Sequence, residues 1–69
     1  METDKWGRRI RAFRKLKGFT QESLAKELNV SVSVLGEIER GSRQPSEEFL
    51  MKVTALFNIT LEELKPAQH

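Results

Sequence analysis

Seven basic side chains, Lys5, Arg8, Arg9, Arg11, Arg14, Lys15 and Lys17, crowd the first 18 residues against only Glu2 and Asp4, a net charge of +5. The rest of the chain holds five basic and eight acidic side chains, a net −3. So lopsided a field points toward an anionic partner, with a merely solvated helix face as the plain alternative. A second set of chemically useful residues lies between positions 20 and 41. Leu24, Ala25 and Leu28 form one apolar stripe at helical spacing, and Val30, Leu35 and Ile38 form the next. With Leu35 and Ile38 turned inward, Val32, Ser33, Gly36, Glu37 and Arg40 make up the outward face of the second helix.

Such a face needs a rigid support. Asn29 stands where the chain must reverse, and Asn tolerates the left-handed conformation better than any residue but Gly. Ala25 is small enough to let the two helices approach closely. A helix pair of this size in a basic protein suggests a helix-turn-helix, which places its second helix in the major groove.

The remaining pattern predicts five helices and no strands. Helix 1 runs from about Asp4 to Lys17, with Thr3 or Asp4 as N-cap and Gly18 as its stop. Thr20 caps helix 2, which ends near Leu28; helix 3 starts near Ser31 and ends at Arg40 before Gly41. After a polar loop from Ser42 to Pro45, Ser46 caps helix 4, with Glu47 and Glu48 in its positive first turn and Asn58 past its end. Thr60 and Glu63 form a capping box for a short helix 5. Hydrophobic staples pair Phe19 with Leu24, Val30 with Leu35, and Ile59 with Leu64 around three of these caps. The predicted core is Trp6, Ile10, Phe13, Leu24, Ala25, Leu28, Val30, Leu35, Ile38, Leu50, Val53, Phe57, Ile59, Leu61 and Leu64, with Leu16 and Phe49 at its margin.

Two charges fall on apolar stripes. Arg14 lies four residues after Ile10, and Glu39 four after Leu35. An unpaired charge on a buried face costs several kcal/mol, roughly. The economical solution pairs them, since the guanidinium fork suits a carboxylate; otherwise both sit at the stripe's edge and reach water.

These residues resemble the lambda repressor and Cro-like (XRE-type) helix-turn-helix family. The matching positions are Ile10, Phe13, Arg14, Gly18 to Gln21, Leu24-Ala25, Leu28 to Ser31, Leu35, Ile38-Glu39, Gly41, Pro45-Ser46, Asn58 to Leu61 and Glu63-Leu64. The resemblance implies a compact all-α domain of five helices over residues 5–64, the motif spanning 20–40, followed by a short tail over 65–69. It also implies binding to operator DNA as a two-fold homodimer, and the Arg14 to Glu39 ion pair. Gln21 matches a glutamine that holds a phosphate in the family, and Thr20 before it is the cap. Val32, Ser33, Gly36, Glu37 and Arg40 match positions that read base edges. Here the chain departs from the pattern, because family members place Gln, Arg, Lys or Asn there. Val suits a thymine methyl, Ser several bases, and Glu either accepts from cytosine N4 or is repelled by phosphates. Gly36 either lets the backbone approach DNA or is simply tolerated. Arg40, Arg43 and the basic helix 1 must then supply most of the attraction.

The leading expectation is a small transcriptional regulator, a repressor, that binds double-stranded DNA. The alternative is a protein-interaction module of the same fold, antitoxin-like or coactivator-like, which the acidic outward face favours. Membrane-surface binding by helix 1 is disfavoured, because the fold needs its apolar face. Sixty-nine residues suggest one domain, with no room beside it for a ligand-sensing one. With no Cys, no signal peptide and no long apolar run, a cytoplasmic protein without disulfides is expected. No enzyme, cofactor or metal site is expected. The only His is His69 at the end of the chain, and the pairs Glu47-Glu48 and Glu62-Glu63 are explained by the helix starts they occupy.

Overall fold

The computed structural model describes residues 2–66. Over these residues the chain folds into five helices: α1 (Glu2–Leu16), α2 (Gln21–Leu28), α3 (Val32–Arg40), α4 (Glu47–Phe57) and α5 (Leu61–Leu64). Thr20, Ser31, Ser46 and Thr60 cap the last four, each in extended backbone with its hydroxyl accepting from an amide three residues on. Thr60 and Glu63 form the expected capping box, and Thr20 forms a second one with Ser23.

The start of α1 differs from expectation. The helix begins at Glu2, so Thr3 and Asp4 lie within it rather than at its cap. Acidic residues are favourable in a first turn, so the turn extends through them. At the other end Leu16, not Lys17, is the last helical residue. The expected tail is described only as far as Pro66, and His69 lies outside the described residues.

Four helices end in the same way. Gly18, Asn29, Gly41 and Asn58 adopt left-handed backbone with φ of 83°, 60°, 85° and 57°. At each, that residue's amide reaches back three residues and the next amide reaches back five. This double closure satisfies carbonyls the helix would otherwise leave open. Three of the connections then read alike: a left-handed residue, an apolar residue, a cap. The apolar residues Phe19, Val30 and Ile59 are half-buried against the core. Each follows one helix and precedes the next, so one side chain seals both ends.

The core is Ile10, Leu24, Ala25, Leu28, Leu35, Ile38, Phe49, Leu50, Val53, Phe57 and Leu64, with Trp6 and Phe13 packed against it. Phe13 and Phe19 both meet the Phe57 ring. One expected member, Leu61, is 41% exposed, and Leu16, expected at the margin, is 75% exposed. The four-residue α5 offers one inward position, and Leu64 occupies it. Leu16 lies six residues after Ile10, which rotates it about 120° off the buried stripe. The apolar face of α1 is thus spent on the core, and no helix among the described residues is long and apolar enough to cross a membrane.

Candidate nucleic-acid interface

α3 is held from behind by α1, at a point the sequence pattern did not single out. Gly7 is buried, and a Cβ there would overlap the carbonyl oxygen of Ile38 and lie 2.8 Å from that of Glu39. The two backbones therefore touch directly. A glycine inside an amphipathic helix costs about 1 kcal/mol relative to Ala, and that unexplained cost three residues before Ile10 was the available signal.

Two turns further along α1, Arg14 meets Glu39. Arg14 Nε lies 2.7 Å from Glu39 Oε2 and Nη2 lies 3.3 Å from Oε1, so the contact is bidentate. Arg14 Nη1 also donates to the Phe19 carbonyl at 3.1 Å, and Gln21 Nε2 donates to Glu39 Oε1 at 3.2 Å. The Glu39 side chain is only 3% exposed and that of Arg14 11%. A buried carboxylate requires such partners, and here it gathers α1, the start of α2 and the end of α3. Among the described residues no buried side-chain nitrogen or oxygen lacks a hydrogen bond. The Gln21 side chain, which the resemblance assigns to a phosphate, is half-buried, its amide held against Glu39 in the cleft between the helices. Thr20 is exposed, with its hydroxyl accepting from Ser23 N–H at 3.0 Å.

The outward face of α3 is partly as expected. Val32, Ser33 and Arg40 are exposed, and Glu37 is half-buried. Gly36 lies on the same face but is itself buried, because the side chains of Arg40 and Gln21 lie over it and it has none of its own to raise above them. Glu37 is also less available than its charge suggested. Arg43 Nε donates to Glu37 Oε1 at 2.7 Å, joining the loop after α3 to its outer face. The acidic charge on this face is therefore matched from within, and Arg43 is not an unengaged cation.

The basic field of α1 is similarly divided. Arg14 serves Glu39, and Arg9 donates to the carbonyls of Glu63 and Leu64 while lying 5.3 Å from the Phe13 ring centroid. Arg9 thereby closes the end of α5 against α1. Arg8, Arg11 and Lys15 remain exposed on α1. Arg11, Arg14, Gln21, Glu39 and Arg40 line an open cleft where α1, α2 and α3 converge. Thus Arg11 joins Arg40 at the rim of the expected surface, a role that required the helix packing to be known. Among the described residues no group of His, Asp or Glu is arranged to hold a metal ion.

Comparison with known proteins places this geometry. The family model described as Helix-turn-helix matches residues 10–64. The chain is 57% identical over 68 residues to the uncharacterized HTH-type transcriptional regulator YazB of Bacillus subtilis (strain 168), covering 99% of each. It is 48% identical over 63 residues to the HTH-type transcriptional regulator SlrR of the same strain, covering 90% of this chain but 41% of SlrR. Its structure resembles that of SinR, the master regulator for biofilm formation, crystallised in complex with DNA. There the TM-score is 0.78 at 38% identity, covering 86% of this chain and 95% of the other.

Proposed function

The chain belongs to the helix-turn-helix family of DNA-binding transcriptional regulators, and we propose that it reads duplex DNA sequence-specifically with α3 in the major groove and acts as a repressor. The observation that carries this reading is the way α3 is mounted. Its inner side is fixed by Leu35, Ile38, Glu39 and the backbone contact at Gly7, while Val32, Ser33 and Arg40 stand exposed. A helix so fixed keeps its outward groups at constant spacing, which base readout demands. The likeness to SinR, whose crystal structure contains DNA, supports the same use of this fold. Thr20, the amides that open α2 and Arg11 lie on elements packed beside α3, where phosphates of the groove wall would pass. Repression needs only occupancy of an operator, and a two-fold homodimer would match a palindromic site. The protein-partner alternative drew on an acidic outward face, and the Glu37 to Arg43 pair neutralises that face.

Selection from a random duplex pool tests the proposal. A palindromic motif should emerge, and affinity should fall by about 10³ to 10⁵ between 50 and 200 mM salt for a dimer contacting roughly 6 to 10 phosphates. Failure to enrich any sequence, with a stable protein complex formed instead, would reject it.

A further inference from the structure

The centre of the outer face of α3 carries no side chain. A Cβ at Gly36 would meet Arg40 Nη1 at 3.1 Å and Gln21 Nε2 at 3.6 Å. The first contact follows from helix geometry. Side chains lean toward the N-terminus, so residue 40 lies over residue 36 one turn earlier. The Arg40 guanidinium consequently lies close over position 36, where a side chain would have to push its tip aside.

Arg40, like Arg11 across the cleft, differs from the other arginines nearby. Arg14 is committed to Glu39, Arg43 to Glu37, and Arg9 to the end of α5. Arg40 is exposed, and its side chain makes no hydrogen bond or ion pair among the described residues. It is the open guanidinium fork on α3. The other outward residues discriminate weakly: Val32 offers methyl contact, the Ser33 hydroxyl suits several bases, and Glu37 is engaged. A planar fork, by contrast, matches the O6 and N7 acceptors of guanine two at a time.

We propose that Arg40 is the specificity-determining residue of this protein, reading a guanine in each half-site, and that Gly36 is the position whose missing side chain admits it. This inference rests on the DNA-binding reading above. The competing use of Arg40 is a phosphate contact from the cleft it shares with Arg11 and Gln21.

Selection from a random duplex pool with the full chain, Arg40→Gln and Gly36→Gln separates these outcomes. The unaltered chain should enrich a motif with one fixed guanine per half-site. Arg40→Gln replaces the fork with an amide that matches adenine, so preference for guanine at that base pair should fall roughly 5- to 150-fold while the rest of the motif is kept. Gly36→Gln should lose the same guanine and melt no lower than the unaltered chain, since Gly is the poorest helix former after Pro. If it melts early, Arg40→Gln alone decides. A motif that Arg40→Gln leaves unchanged while weakening all sequences alike would assign Arg40 to phosphate and overturn the proposal while sparing the DNA-binding reading. No enrichment by the unaltered chain would overturn both.

Discussion

Gly7 of α1 rests against the carbonyl oxygen of Glu39 in α3, at a separation that leaves 2.8 Å to a would-be Cβ. The neighbour is backbone, so it cannot rotate aside as a side chain tip could. Gly7→Ala should therefore destabilise the fold by about 1 to 3 kcal/mol through overpacking, despite the better helix propensity of Ala. Urea denaturation measures this. Equal or greater stability would show that α1 and α3 separate without penalty, and that Gly7 does not set their distance.

Arg14→Leu should cost about 3 kcal/mol, because Glu39 would keep Gln21 as a neutral partner but lose its counter-charge in a buried position. Replacing both Arg14 and Glu39 with Leu should recover most of that loss. The comparison separates the net worth of the pair from the penalty of orphaning one member. Additive losses in a double-mutant cycle would mean the two side chains are not coupled.

Asn29 closes α2 with φ 60° and ψ 43°. An L-residue with Cβ is strained there by roughly 1 to 2 kcal/mol, which Asn partly offsets and Gly avoids. Asn29→Ala should lower the melting temperature by several degrees, at roughly 4 to 8 °C per kcal/mol for a domain of this size. Asn29→Gly should leave it nearly unchanged. Similar melting of both variants would mean that the turn relaxes into another conformation.

Apart from the start of α1, the helix ends were legible because local residue types fix them: hydroxyl caps at Thr20, Ser31, Ser46 and Thr60, and Gly or Asn at the left-handed positions. The Arg14 to Glu39 contact was legible for a different reason. Both charges interrupt apolar stripes, and a buried charge must find a partner. The Glu37 to Arg43 pair left no such trace. Arg43 lies beyond the left-handed turn at Gly41, where helical spacing no longer predicts direction. Burial of Gly36 was hidden because it depends on how the Arg40 side chain lies, and the close approach at Gly7 because it depends on the crossing of α1 and α3.

Glu37→Gln tests what the outer face of α3 binds. The Glu37 to Arg43 pair is exposed on both sides, and exposed pairs contribute only about 0 to 1 kcal/mol to folding. Stability should therefore change little. Near DNA the consequence is larger: the substitution removes a charge that phosphates repel and releases the Arg43 guanidinium to approach them. Affinity for non-specific duplex should rise, and its dependence on salt should steepen by about one released counterion. Glutamine adds the capacity for a bidentate contact to adenine, shifting preference by about 1 to 3 kcal/mol at one base pair. In an Arg43→Ala background the gain from Glu37→Gln should shrink, because no guanidinium remains to be released. On a face that docks a basic protein surface, the same change would weaken that complex and leave duplex affinity unaltered. Titrations against duplex DNA and against any co-purifying partner distinguish the two, and constancy in both would place the contact surface away from α3.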